Sequence, residues 1–391
     1  MYDLIIVGGG IIGCSVAEWS GAGFARICVV EQDPNTVTEG TSAAAAGGVT
    51  PFLGDHWAGG LGAMAARSRD LYRGWVKRVG AKAGRPLHVR HTGLLQLAID
   101  DVETDRLQNK VLPHLDACGV DATMLTGDEA RRREPLLGPE VRAALEQPAD
   151  LAVEPMRIMD ALHRALRADD RVEIVYARTA AVAAAGGRVE VVLADGRTLH
   201  GERAVVAAGH RSGGLLERHG VPAQVFQAVK GQILDMRVPR GGAPRYLSDM
   251  VTHESGDERV VFVTPYRGDR LAAGATFERH ETDPRPVLTK ARDLILPNLR
   301  RALPRVADYE IVGSRAGMRP RTLDDIPLVG FVDPDRRILA ATGHSGLGLT
   351  LAPRTAQLVA GLLEDRAPLG ADDRADLALC DPQRFAAGAS A

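Results

Sequence analysis

The opening of the chain narrows what it can fold into more than any other stretch. Asp3 to Gly13 reads DLIIVGGGIIG, and Arg26–Glu31 reads RICVVE. Asp3–Val7 is a short apolar run rich in Ile and Val, the pattern of a buried strand in a parallel sheet. Gly8, Gly10 and Gly13 then form G-x-G-x-x-G and open a helix through Cys14–Ser20. In such a strand–turn–helix unit the first glycine permits the tight turn and the second lets backbone approach a pyrophosphate. The third lets helix and strand pack closely. Unpaired N–H groups and the helix dipole favour phosphate at that helix N-terminus. Arg26–Val30 is the second strand, and Glu31 at its end is the acid that accepts hydrogen bonds from an adenosine ribose. Its carboxylate repels a 2′-phosphate, so the unit suits FAD or NAD.

At 391 residues the chain is long for one simple core, and two domains are expected. A net charge of −2 gives no reason to expect a nucleic-acid partner or an anionic membrane surface. The four cysteines, Cys14, Cys28, Cys118 and Cys380, have no C-x-x-C spacing, so neither zinc nor a disulfide framework is suggested. The first residues lack a basic stretch and their apolar run is broken by glycines, unlike a signal peptide. No run reaches transmembrane length. The expectation is a cytoplasmic enzyme without a transmembrane segment, and self-association into a homo-oligomer is left open.

Gly40–Pro51, GTSAAAAGGVTP, reads as a short helix capped by Thr41 or Ser42 and stopped at Gly47–Gly48. Its small residues also suit a flat ring lying against backbone. Leu61–Val79 is an amphipathic helix carrying Leu61, Met64, Leu71 and Trp75, with Ser68 in the stripe. His91–Ala98 reads as a strand, and Asp101–Cys118 and Asp128–Arg133 as surface helices. A helix follows Pro155. Val172–Val175 and Val189–Leu193 are strands, and Asp195–Gly196 turns the second into Thr198–His200. Thr179–Ala181 is a small-residue connection that can pass near an adenine, and Arg203–Ala208 is a further strand ending at Gly209. Lys230–Val238, Tyr246–Thr252, Arg259–Pro265 and Arg270–Ala275 suggest an antiparallel sheet. Val287–Leu296 is a helix closed by Pro297. After the strand Ile338–Ala341, Gly343–Gly348 opens a last helix, Leu349–Leu363, and the tail from Asp372 is expected to be peripheral.

Taken together, VGGGIIG, Glu31, GTSAAAAGG, GLLQLA, AVVAAG, VKGQIL, LAAGATFE, AGMRPRTLDDIPLVG and ATGHSGLGLTLAP resemble the FAD-dependent D-amino-acid oxidase-like family. That group includes glycine oxidase, sarcosine oxidase and D-amino-acid dehydrogenases, and the resemblance runs nearly end to end. It implies an α/β Rossmann-like FAD-binding domain, discontinuous in sequence (1–90, 140–220 and 310–391). It also implies an α+β substrate domain with an antiparallel sheet (91–139 and 221–309). Gly8, Gly10, Ile11, Ile12, Gly13, Glu31 and Gln32 then fall on the ADP half of FAD. Thr41, Ser42, Ala46, Gly47 and Gly48 fall along the pyrophosphate and flavin, with Thr179, Ala181, Ala208 and Gly209 as further small-residue contacts. Gly343, His344, Gly346, Leu347, Gly348 and Thr350 fall beside the flavin pyrimidine, where a helix N-terminus stabilises the reduced anion.

The resemblance makes Arg319 the substrate-carboxylate arginine, since Gly317–Pro320 matches the family's G-x-R-P and a guanidinium suits a planar carboxylate. The alternative is an internal pair with Asp324 or Asp325. His344 is either a base or an organiser of backbone. His91 and Tyr266 are candidates for the substrate cavity and Tyr246 for a lid, with plain strand residues as the alternative for each. Ser345–Gly346–Leu347 replaces the arginine that glycine oxidases carry after the G-H pair, which puts glycine itself in doubt as substrate. No cysteine occurs in Arg315–Thr322, so the FAD is expected to be noncovalent. The implied reaction is oxidation of an amino acid or amine at its C–N bond by hydride transfer to flavin N5, giving an imine and then a keto acid or aldehyde. Electrons pass to O2 or another acceptor. Two alternatives are a biosynthetic amine oxidoreductase acting on a substrate without a carboxylate and a non-catalytic FAD-bearing subunit.

Overall fold

In the computed structural model, residues 1–21, 23–52, 60–239, 242, 244–245, 247–254, 257–364 and 370–385 are described. Tyr2–Val7 forms the centre of an eight-stranded sheet among these residues, with Ile27–Glu31 parallel on one side and Thr198–Val206 parallel on the other. Val172–Tyr176 continues the parallel set beyond Ile27–Glu31, and Ile338–Thr342 pairs parallel with the far end of Thr198–Val206. Leu4, Ile5 and Ile6 have no exposed surface. Both faces of their sheet are covered, which is why the strand reads as an unbroken apolar run. One face packs the helices Ile11–Trp19, Leu61–Lys82, Pro155–Arg167 and Gly348–Leu363. The other is closed by the Thr179–Ala185 and Arg188–Leu193 hairpin with Leu215, Leu216 and Val221.

A second eight-stranded sheet has Glu310–Thr322 at one edge, paired antiparallel along its length with Phe226–Arg237. Arg270–Gly274, Asp257–Pro265, Leu247–Glu254, Leu94–Ala98, Ala143–Gln147 and Thr123–Thr126 follow in order. It is antiparallel except where Leu247–Glu254 runs parallel to Leu94–Ala98. Leu288–Ala302 covers it through Ala291, Ile295, Leu299 and Ala302. Ala143–Gln147 and Glu310–Thr322 lie in chain segments expected in the nucleotide-binding part, yet hydrogen bond into this second sheet.

The fold corrects several local expectations. Gly40–Pro51 holds turns at Thr41–Ala44 rather than a helix. Only Ala44 N–H reaches back to Gly40 O in helical fashion, because the carbonyls of Ala43, Ala45 and Ala46 are taken by side chains of the second sheet. Thr179–Ala181 begins a strand instead of a connection, and Thr198–Val206 is one strand where two were expected. Asp101–Cys118 is interrupted by a π-helical turn at Leu107–Val111. Helix Leu288–Ala302 continues through Pro297, since Leu299, Ala302 and Leu303 beyond it bury in the same core. The tail is not peripheral: helix Ala371–Leu379 buries Asp376 between Arg354 of the preceding helix and Arg67.

Candidate active site

The cavity begins where the first strand turns into its helix. Gly8 adopts φ +114°, and a Cβ there would overlap the Ala207 carbonyl. A Cβ on Gly13 would overlap the Gly8 carbonyl, so Gly13 serves the packing of helix on turn and does not itself line the cavity. Gly9 is gripped at both ends of its residue. Its N–H donates to Glu31 Oε2 at 2.7 Å, and its carbonyl accepts from His163 Nε2 at 2.9 Å and Cys14 Sγ at 3.1 Å. The other Glu31 oxygen accepts from Asp33 N–H at 2.9 Å. Burial pushes the Glu31 carboxyl above the usual range, opposed by the backbone N–H groups of Asp33, Gly9 and Gln32. Glu31 lines the cavity, and each of its oxygens has the capacity to accept a further hydrogen bond.

From there the cavity, about 1090 Å³, extends between the two sheets. Gly8, Gly10, Ile11, Ile12, Glu31, Gln32, Thr41, Ser42, Ala46, Gly47, Gly48, Thr179, Ala208 and Gly209 line it. So do Arg319, His344, Gly346, Leu347, Gly348 and Thr350. Two helices, Ile11–Trp19 and Gly348–Leu363, start on its wall, and neither has a side-chain cap. N–H groups of their first turns that no side chain takes are open to a ligand, and Ile11 N–H is not among them. Ser42 Oγ accepts from Ile11 N–H at 2.9 Å, which ties the small-residue turn to the first helix. Thr41 spends its hydroxyl on the Met318 backbone, accepting at 3.1 Å and donating at 3.2 Å. Ala181 and Gly343 do not line the cavity. Ala181 lies further along its strand, and Gly343 at φ +81° is packed against Thr322.

Strand Glu310–Thr322 forms the opposite wall. On one face Arg315, Gly317 and Arg319 alternate with Ala316 and Met318. Gly317 leaves room for the Thr41–Ala44 turn, with a Cβ only 2.8 Å from Thr41 Cα. Gly231, paired opposite Gly317, leaves room for the Arg319 guanidinium. That guanidinium donates to Thr276 O at 3.1 Å and lies over the Phe277 ring at 4.3 Å. No carboxylate pairs with it among the described residues. Asp325 is held bidentate by Arg321, and Asp324 by Arg384. Burial lowers Arg319 to about 10, so it stays charged at neutral pH.

His344 lines the cavity but bonds Thr355 Oγ1 through Nε2 at 3.0 Å, and burial pulls its imidazole down to about 3. It is neutral, and its Nε2 is committed. Tyr266 is not on the cavity wall: its hydroxyl donates to Ala46 O at 2.7 Å and accepts from Arg315 at 3.1 Å. Burial raises that phenol to about 12. His91 is exposed in the small sheet Arg90–His91, Leu151–Ala152 and Gly48–Val49, beside Arg73 and away from the cavity. Tyr246 lies outside the described residues. Arg315, His163 and Phe277 were missed by the sequence reading. For Arg315 a signal existed, since R-x-x-x-R in a strand puts both arginines on one face.

Two helix starts on the cavity wall and glycines that bring backbone to it fit an extended dinucleotide. The family profile described as DAO, FAD dependent oxidoreductase, matches residues 3–362. The chain belongs to this family. A glycine oxidase of Bacillus licheniformis is 29% identical over 366 residues, covering 93% of each chain. The crystal structure of glycine oxidase from Geobacillus kaustophilus superposes with a TM-score of 0.85 at 26% identity, covering 94% of this chain and 95% of that one. Iminodiacetate oxidase from Chelativorans sp. BNC1 shares the fold at a TM-score of 0.79 and 21% identity, covering 95% and 98%. The protein is accordingly an FAD-dependent oxidoreductase, and no described helix is long and apolar enough to cross a membrane.

Proposed function

We propose that the protein oxidises the C–N bond of an amino acid or carboxylate-bearing amine to an imine, which water hydrolyses to a keto acid or aldehyde. The observation that carries this is Arg319: a charged guanidinium on the cavity wall, oriented by Thr276 and Phe277, whose neighbouring carboxylates are bonded elsewhere. A planar carboxylate is the ligand its remaining N–H groups suit. FAD, held by Gly8, Gly10, Glu31, Ser42, Gly47, Gly48 and the start of helix Gly348–Leu363, supplies the hydride acceptor.

The chain's own part is orientation. Arg319 fixes the carboxylate end of the substrate and so restricts which Cα–H is presented. Neither His344, neutral and bonded to Thr355, nor Tyr266, bonded to Ala46, is available as a base. We take the amine to enter as the neutral species, its proton having gone to solvent. The first N–H groups of helix Gly348–Leu363 favour negative charge at their end of the cavity. None of the cysteines lines the cavity, which supports noncovalent binding of the cofactor. We take the first sheet with its helices as the FAD-binding part and the second sheet as the substrate part.

Anaerobic mixing of the purified flavoprotein with D-amino acids, glycine, proline and N-methylated amines, some with and some without a carboxylate, tests the proposal. Bleaching of the flavin absorption by a carboxylate-bearing amine, lost in Arg319→Leu, is the expected result. Bleaching only by amines lacking a carboxylate, or by none of the panel, overturns it.

A further inference from the structure

Arg315 and Tyr266 stand outside the reaction described above, yet both are buried and both spend their polar groups on one short backbone segment. Arg315 is held by Asp235 through two bonds of 2.8 Å, one from Nε and one from Nη2. Its Nη1 donates to the carbonyls of Ala43 and Ala45, and its Nη2 to the Tyr266 hydroxyl at 3.1 Å. Tyr266 in turn donates to the carbonyl of Ala46. Three carbonyls within four residues are thus drawn toward the second sheet.

A trans peptide turns each N–H opposite to the carbonyl before it. Drawing the carbonyls of Ala45 and Ala46 toward Arg315 and Tyr266 therefore turns the N–H groups of Ala46 and Gly47 the other way. Both residues line the cavity, and neither N–H has a partner among the described residues. Buried backbone donors are rarely left unpaired in a folded protein. We propose that Arg315 and Tyr266 are positioning residues that hold the Ala46 and Gly47 N–H groups toward the bound flavin cofactor, and so set its affinity and reduction potential. Preorganised donors of this kind favour whichever form of a ligand carries more negative charge. The clamp also bears on why this segment is a turn: side chains that engage its carbonyls compete with a helical ladder for them.

The inference rests on FAD occupying the cavity, and Tyr266→Phe tests it with least disturbance. The ring volume is kept and the donor to Ala46 is lost. Arg315→Met is the stronger variant, and Tyr266→Phe carries the test if Arg315→Met does not fold. Three quantities are read: the FAD dissociation constant of the apoprotein, the reduction potential of the holoprotein, and the melting temperature of each form. Tyr266→Phe is expected to bind FAD about tenfold more weakly, the scale of one buried hydrogen bond. Tenfold weaker stabilisation of the reduced over the oxidised form lowers a two-electron potential by about 30 mV. The rise in melting temperature on adding FAD shrinks correspondingly. Wild-type affinity and potential in Tyr266→Phe, with only the apoprotein melting temperature lowered, would leave the pair a structural clamp and overturn the proposal. Failure of the wild type itself to bind FAD would instead remove the cofactor on which the inference rests.

Discussion

The two walls of the cavity are built in opposite ways. The wall formed by Tyr2–Val7, the glycine turn and Glu31 is the more local one: strand, turn and acid lie within the first 31 residues, steadied from outside by Asp33, Ser42, His163, Ala207 and the parallel strand Thr198–Val206. The wall formed by Glu310–Thr322 gets its shape from Gly231, Thr276 and the Thr41–Ala46 turn, partners far away in sequence. The first wall presents backbone N–H groups, and the second presents a guanidinium. On the roles proposed above, a site assembled so assigns the dinucleotide mainly to the local unit. Discrimination of the small substrate then falls to the wall that depends on tertiary pairing.

If that division holds, damage to the first wall abolishes cofactor binding and damage to the second spares it. Gly13→Val has the largest expected effect, because no shift of a flexible side chain relieves overlap with the Gly8 carbonyl. It should leave a chain with almost no bound flavin, measured as the ratio of flavin to protein absorbance. Arg319→Leu should keep its flavin while kcat/KM toward carboxylate-bearing amines falls roughly hundredfold, the scale of about 3 kcal/mol for a charge-assisted pair. Loss of flavin in Arg319→Leu would break the comparison. His163→Leu strips one of two donors from the Gly9 carbonyl. It should weaken FAD by about tenfold, read by titration of the apoprotein, with kcat at saturating FAD little changed.

The smaller effects depend on pH. Asp150 is buried with Oδ2 unpartnered, and burial raises its carboxyl to about 7 against the pull of Arg69. A carboxyl whose folded value lies above its unfolded one costs stability as pH rises between the two. Wild type should therefore lose stability relative to Asp150→Asn from about pH 4 to pH 7, by about 1.4 kcal/mol per pH unit at most, read as a falling melting temperature. Parallel curves would show that Asp150 titrates normally. His344, lowered to about 3, should contribute no step to the pH–kcat profile between pH 5 and 9, so His344→Gln should leave the shape of that profile unchanged.

How much could be read in advance follows the same division. Gly8, Gly10 and Glu31 were legible because strand, turn and acid impose their geometry over a few residues. Gly317 and Arg319 were legible as a motif, but the reason for the glycine, the close approach of Thr41, needed the fold. The alanine run at 43–46 has high helix propensity, and tertiary bonds from Arg315 and Tyr266 override it. Tyr266 was picked as a cavity residue from residue type alone, and its hydroxyl faces the turn instead. The tail from Asp372 was expected to be peripheral because it is polar, whereas Asp376 pairs with the buried Arg354.

Arg315 and Arg319 sit four residues apart on one strand, roughly 13 Å at about 3.3 Å per residue. On the roles proposed above, the part that steadies the cofactor's cradle and the part offered to the substrate are machined from a single rod. An engineer who wants a new substrate should leave that rod and Phe277 alone and recut Arg279 to Thr282, which line the same cavity from another part of the chain.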